Sequence, residues 1–209
     1  MPPAKLTFYH SPNTRSTATR ILLEELGAPY ELAALDMKRG AQRQPAYLAV
    51  NPMGKVPAVV HDGALVTESV AIFIYLADAF PGLAPKIGDR NRGPYLRWMA
   101  YYAACFEPAV VDRAQKREQA PLAMSPYGDF DTMLKTVTDQ LERGPYMLGD
   151  TFTATDVLWG TGLGWTTMFG IVPKLPVIEA YIQRVEARPA AQRVKTLDNE
   201  LAAKLASLA

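Results

Sequence analysis

The fold class this sequence predicts is α/β plus all-α. A mixed unit of order βαβαββα spans residues 1–81, a polar linker 82–92, and an all-helical unit 93–209. Three observations predict it. Short strand-like apolar runs alternate with helical periodicity up to about residue 80. After Pro81-Gly82 the strand signals vanish and only long helical patterns follow. Between the two regimes, Asn51-Pro52-Met53-Gly54-Lys55-Val56-Pro57 opens a short apolar run that is followed, one turn later, by Thr67-Glu68-Ser69. Proline there holds the backbone and withdraws one N–H from local pairing.

Each element has its own signal. Lys5 to Tyr9 reads as a strand, and Ser16 to Leu26 as a helix with Ile21, Leu22, Leu23 and Leu26 on one face. Gly27 ends that helix, as a left-handed C-terminal residue does. Tyr30 to Leu35 predicts a second strand, and Gln42 to Val50 a short helix or irregular turn with Pro45 near its start. Pro57 to Val60 and Ala64 to Val66 flank His-Asp-Gly, a hairpin turn. Glu68 to Phe80 closes the unit as a helix bearing Val70, Ile72, Phe73, Tyr75 and Leu76. Helices are then predicted near 93–117, 126–142, 154–169, 175–187 and 190–206, with breaks at Pro121, Gly144-Pro145, Pro173 and Pro189. Thr153 and Asp156 have capping-box spacing, and Phe152 with Val157 suits a hydrophobic staple, so Asp156 is read as structural and not catalytic.

Composition narrows the function. The chain has 209 residues, is 49% apolar and carries a net charge of +1 with its charges scattered. That supports a real core and gives no basic patch for nucleic acid or a membrane surface. The start, Met-Pro-Pro-Ala-Lys, has no apolar leader and no run reaches membrane-spanning length, so a soluble cytoplasmic protein is expected. Cys105 is the one cysteine, which excludes internal disulfides and CxxC motifs, and it reads as a small buried apolar residue. With only His10 and His61 besides, no metal site is expected.

The chemistry concentrates in two places. Val56-Pro57 is a realistic site for a cis peptide, which turns the Val56 backbone toward a ligand. Glu68-Ser69 opens a helix whose N–H groups and dipole favour an anion. Together they describe a grip on a small peptide-like carboxylate. Tyr9 to Arg20, joining the first strand to the first helix, is dense in hydroxyls. Such a hydroxyl either caps the helix or donates to a bound thiolate, and both roles stay open. A free thiol has a pKa near ~8.5. One hydrogen bond to a charged group is worth about 1.5–3 kcal/mol. That lowers a thiol pKa by roughly one to two units, at about 1.4 kcal/mol per unit.

These residues resemble the cytosolic glutathione S-transferases, over the whole length of the chain. Gly-Lys-Val-Pro followed by Thr-Glu-Ser matches that family's glutathione-binding signature, and Ser16-Thr17-Ala18-Thr19-Arg20 resembles the first helix of the serine-type phi and theta branches. The resemblance implies a thioredoxin-like N-terminal unit, glutathione as cosubstrate without a metal, and Ser16 as the residue that activates its thiol. Tyr9 and Ser11 are the rival activators. It further implies that Val56, ahead of Pro57, pairs its backbone with the cysteinyl unit. Glu68 and Ser69 hold the γ-glutamyl group, while Lys55, Gln42 and Arg43 face the glycyl carboxylate. Beta-class and omega-like enzymes carry a cysteine in the loop where this chain has Arg15, which sets it apart from disulfide exchange. A small apolar electrophile or a hydroperoxide is the expected second substrate, seated between the two units against Ser11, Arg15, Tyr101, Tyr102, Phe106, Trp165, Met168 and Phe169. Isomerase or dehalogenase chemistry also falls within the family's range, as does a detoxifying role. The chain is expected to form a homodimer through the helix after Glu68 and the first helix of the second unit. A non-catalytic binding or stress-response protein on the same fold is the alternative.

Overall fold

Leu6, Phe8 and His10 alternate with Thr7 and Tyr9, and the alternation becomes the first strand, β1 (Leu6–His10), with the first set buried. In the computed structural model, which describes residues 5–207, β1 runs into helix α1 (Ser16–Leu26). That helix ends at Gly27 in the left-handed region, φ 61°. β2 (Glu31–Ala34) returns parallel to β1, and β3 (Ala58–His61) and β4 (Ala64–Thr67) form an antiparallel hairpin. The strand order is β2-β1-β3-β4, with β3 antiparallel to β1. Asp62 and Gly63 both take positive φ, the two-residue hairpin geometry that the His-Asp-Gly signal predicts. The expected helix or turn over 42–50 divides into a 3-10 turn, Ala41–Arg43, and α2 (Pro45–Leu48), with Pro45 opening the latter. Helix α3 (Ser69–Ala79) follows β4 and buries Ile72, Phe73, Leu76 and Ala77.

Residues Gly82–Ala187 form a second unit. Its first predicted helix is interrupted: α4 (Arg92–Tyr101) passes through a π-helical turn, Tyr102–Phe106, into α5 (Glu107–Ala114). Pro108 has no N–H to give to the turn before it, a local cause for the wider winding. α6 (Phe130–Leu141) begins later than expected because Asp129 caps it, accepting from Thr132 N–H at 2.7 Å. α7 (Ala154–Met168) and α8 (Pro176–Glu186) complete the unit. Trp159 lies at its centre, its indole N–H donating to Trp98 O at 3.1 Å and its ring packed on Trp98, Tyr102 and Phe106. Gly162 is required by this packing, since a Cβ there would come within 2.5 Å of Tyr102. Asp156 is wholly structural: its carboxylate accepts from Met147 N–H, Thr153 N–H and the Tyr181 hydroxyl at 2.7, 2.8 and 2.9 Å. Burial pushes its pKa up against the pull of those donors. Phe152, the expected staple, stacks edge-on against Tyr146.

The last helix, α9 (Pro189–Ser207), departs from the expected division. Periodicity places it with the all-helical region, but it groups with the strands of the first unit. Charge is the reason. Arg188 makes a two-pronged bond to Glu25, Arg193 pairs with Glu24, and Asp198 receives Arg20 Nη1 at 2.7 Å, all across the α1–α9 seam. Asp198 also takes the Thr17 hydroxyl at 2.7 Å and His10 Nε2 at 3.0 Å. Burial pushes the Asp198 pKa up, but His10, Thr17 and Arg20 together outweigh it and hold the group below the usual carboxylate range.

Removing one partner from a buried ionic cluster strands the rest, so Asp198→Ala should cost about 3–5 kcal/mol in urea unfolding. The sign of the pH dependence follows from the lowered pKa. Asp198 stabilises the fold above the unfolded-state value of about 3.9, and that contribution is lost as pH falls through the folded value. The variant should therefore show a shallower stability loss than the parent below about pH 4, measured by denaturation at a series of pH values.

Candidate functional site

Register alone brings the predicted ligand residues of the first unit together. Tyr9 lies opposite Ala58, and Ala58 opposite Thr67, while His10 pairs with Ala34. So the loop after β1 (Ser11 to Arg15), the loop after β2 (Asp36 to Arg43), the approach to β3 (Lys55 to Pro57) and the start of α3 (Glu68, Ser69) all emerge at one end of the sheet. Residues far apart in sequence meet there because all four strands present the appropriate end.

Val56-Pro57 is cis, as the sequence predicts. Ahead of it the loop is tied from inside: Tyr47 Oη donates to Lys55 O at 2.5 Å and Asn51 Nδ2 to the same oxygen at 2.9 Å. Burial pushes the Tyr47 phenol up to about 12, so it stays a donor at any working pH. Val56 stands outside β3, and among the described residues its N–H and C=O have no hydrogen-bond partner. An extended strand edge of that kind pairs with a peptide ligand. Gly54 takes φ +59° and lies so close to the 3-10 turn that a Cβ would come within 2.8 Å of Gln42 O and of Arg43 Nη1. Arg43 also reaches Met53 O at 3.2 Å, so it braces this loop, and Gln42 Oε1 is buried without a partner among the described residues. Lys55 is exposed.

Glu68 caps α3 with φ 65° and ψ 119°, a region that non-glycine residues avoid. Its side chain is exposed, and among the described residues neither it nor the Ser69 hydroxyl has a partner. Backbone strain, a carboxylate without a partner and an open helix start therefore coincide at Glu68-Ser69, where sequence reasoning gave only the residue types.

The hydroxyl-rich turn is drawn inward. Ser16 is fully buried, with its Oγ 2.8 Å from His10 Nδ1, 2.6 Å from Thr14 Oγ1 and 3.2 Å from Ser11 N. Because Asp198 can only accept, His10 Nε2 carries the hydrogen facing it. Ser16 Oγ is held between His10 Nδ1 and Ser11 O, to which it donates at 3.1 Å. A hydroxyl so engaged has no surface to offer a ligand. Ser11 is 5% exposed, and its carbonyl accepts from Thr14 Oγ1 at 2.7 Å. Tyr9 belongs to β1 and packs on Tyr47. Thr14 is half-buried, Asn13 and Arg15 are exposed, and Asn13 takes a positive φ of 58°. Sequence reasoning missed His10 and Asp198. The signals were present, in His10 on the inward face of a strand and Asp198 on the buried stripe with Ala191 and Val194.

In the second unit the expected ligand-facing aromatics divide. Phe106 is 0% and Tyr102 6% exposed, both locked into the Trp159 cluster, so Phe106 has no face left for a ligand. Tyr101 donates its hydroxyl to Met133 O at 3.2 Å. Trp165 stacks on Phe169, which is 63% exposed beside an exposed Met168. Cys105 is half-buried, burial pushes its thiol up, and it stays a poor nucleophile. Among the described residues no acidic, histidine or cysteine cluster suits a metal ion, and no helix is long and apolar enough to cross a membrane.

A mixed sheet of order β2-β1-β3-β4 with a cis-proline ahead of β3, joined to a helical unit, defines a thioredoxin-like two-unit protein. The glutathione S-transferase N-terminal domain family matches residues 4–78. Over 193 residues the chain is 30% identical to glutathione S-transferase GstA of Escherichia coli O157:H7, covering 90% of this chain and 96% of that one. A glutathione transferase structure from Methylococcus capsulatus superimposes with TM-score 0.76 at 32% identity, covering 93% of this chain and 98% of its own. A homologue from Sulfitobacter, solved with bound glutathione, gives 0.74 at 29% identity over 92% and 97% of the two chains. The chain belongs to the glutathione S-transferase family.

Strain at Glu68 gives a test that needs no ligand. Glu68→Gly relieves the positive φ and should stabilise the protein by about 1 kcal/mol, read as a higher urea midpoint. An unchanged or lower midpoint would mean that the position carries no strain.

Proposed function

We propose that the chain is a glutathione transferase whose peptide grip is the β3–α3 side of the sheet end and whose thiol-activating group is the turn that opens α1. The observation that carries this reading is the unpaired Val56 backbone, two residues before the Ala58–Thr67 pair that ends the β3–β4 ladder, with the strained, solvent-facing Glu68 directly after that pair. In this reading Val56 pairs with the cysteinyl unit of glutathione. Glu68 accepts the γ-glutamyl ammonium, and Ser69 with the α3 N-terminus takes the adjoining carboxylate. Lys55 is the cation for the glycyl carboxylate, while Gln42 and Arg43 shape the wall behind it.

The thiol of glutathione so held points to the α1 turn. Ser16 then acts from behind. Thr14 Oγ1 has two acceptors in reach, Ser11 O and Ser16 Oγ, and Thr14 is half-buried where Ser11 and Ser16 are buried. Ser16 N–H, donating to Thr14 Oγ1 at 3.2 Å, therefore positions Thr14; with glutathione bound, the one Thr14 hydroxyl hydrogen turns from Ser11 O to the sulfur and, with the helix dipole, stabilises the thiolate. The thiolate attacks an electrophilic carbon; a C–S bond forms and the leaving group departs with its electron pair. Holding the two reactants together supplies the rest of the acceleration. Exposed Met53 and Leu65 on this unit are apolar surface that a second copy would cover in the homodimer expected from the sequence.

Thiolate absorbance of the glutathione complex against pH separates these roles. Thr14→Val should raise the bound thiol pKa by roughly one to two units with little loss of stability. Ser16→Ala should raise it less but destabilise the fold by about 1–3 kcal/mol, because His10 and the Ser11 N–H lose a buried partner. A Thr14→Val protein with the parent's thiol pKa sinks the assignment. Glu68→Gln should weaken glutathione binding by about 1–3 kcal/mol in equilibrium dialysis, and undiminished affinity would remove Glu68 from the site.

A further inference from the structure

The sheet end that carries the peptide grip also carries a cavity of about 380 Å³, on its opposite side. The grip belongs to β3 and β4. The cavity opens between the loops after β1 and β2, with the end of α9 as its third wall. Its volume falls in the range of small-molecule sites, about 300–1,000 Å³.

Its chemistry is uneven. Ala202, Leu205 and Ala206 lie four, seven and eight residues beyond Asp198, on the same stripe of α9, and give the cavity an apolar wall that Met37 and Pro12 extend. The rim is charged. The Asp36 carboxylate is consumed within its own loop, accepting from Lys38 N–H at 3.1 Å and Arg39 N–H at 3.2 Å and pairing with the Arg39 guanidinium at 3.5 Å. Lys38 is left over: among the described residues no carboxylate lies within ion-pairing distance of its ammonium. One acid and two bases leave a net charge of +1 at the mouth of an apolar cleft. A neutral occupant would cover Lys38 without pairing it, whereas a monoanion satisfies it. Thr14 also lines the cavity, on the same turn that the transferase reading gives to the thiolate.

From this geometry we infer that the cavity binds a small, mainly apolar monoanion, with its carboxylate on Lys38 and its apolar body against Ala202 and Leu205, and that this is the form in which the second substrate is taken. The last clause rests on the transferase reading; the binding does not.

Two assays on the full chain separate them. Without glutathione, calorimetry should show 4-phenylbutyrate binding about tenfold more tightly than 4-phenylbutan-1-ol, the worth of one charge-assisted bond. Lys38→Gln, at an exposed position, should erase that preference, and Ala202→Trp, which fills the cleft, should weaken both ligands about tenfold or more. Equal affinity for acid and alcohol, or a preference that survives Lys38→Gln, overturns the inference. With glutathione, 4-chloro-3-nitrobenzoate and its uncharged amide report on conjugation, each forming a C–S bond and releasing chloride. The benzoate should show the lower KM, and Lys38→Gln should bring the KM ratio to about one. If both are conjugated with equal KM in parent and variant, the inference fails while the transferase reading stands. If phenylbutyrate binds selectively but glutathione does not bind, the transferase reading fails and the cavity assignment stands.

Discussion

The α1–α9 seam is the constraint on which the functional end of this protein depends. Three acidic residues of two helices, Glu24 and Glu25 on α1 and Asp198 on α9, are each met by a basic side chain from across the seam, Arg193, Arg188 just ahead of α9, and Arg20. The outer two pairs are partly solvated and individually worth little. Asp198 is different, because Arg20, His10 and Thr17 satisfy it inside the protein, where an unpaired charge would be prohibitive. Burying that carboxylate compels α9 to dock against the strand that carries His10 and the helix that carries Arg20.

From there the constraint passes outward by hydrogen bonds. Asp198 orients the His10 ring, the ring meets the Ser16 hydroxyl, and Ser16 holds Thr14 at the start of α1. The chain of serine, histidine and aspartate has the connectivity of a nucleophilic triad. Its burial decides against that use, since a nucleophile must reach its substrate and Ser16 has no exposed surface. The same connectivity serves here to fix a turn. On the other side of the sheet end the protein does the reverse, leaving Val56 unpaired and Glu68 strained. Preorganised support on one side and unspent hydrogen-bonding capacity on the other are what a site for a small peptide needs.

The chain belongs to a family whose solved members include one with bound glutathione, and the proposed second-reactant site follows from the geometry of the first unit. The aromatic residues that periodicity nominates for it are partly core: Phe106 and Tyr102 are bound up with Trp159. Meanwhile the first unit carries a cleft with a net positive rim, lined on one side by the helix that Asp198 anchors. Selectivity for the second reactant would then be set by residues such as Lys38, which no motif marks.

Local chemistry by itself determined the strands, the helices and their stops. Gly27, Asp62-Gly63, Pro45 and the Thr153–Asp156 box act within a few residues of themselves, so their effects are legible in the chain. The cis peptide at Val56-Pro57 and the helix start at Glu68-Ser69 were legible for the same reason, since each is a consecutive pair that acts on its own backbone. Only the tertiary structure decided the place of α9, the fate of Ser16 and the brace on Arg43. Periodicity shows that α9 has a buried face but not what it is buried against, and that depends on contacts far apart in the chain, such as the hydrogen bond between His10 and Asp198, 188 residues apart. A hydroxyl at a helix start can face a ligand or the core, and the sequence is the same in both cases. Which way Ser16 turned was settled by the buried imidazole waiting behind it.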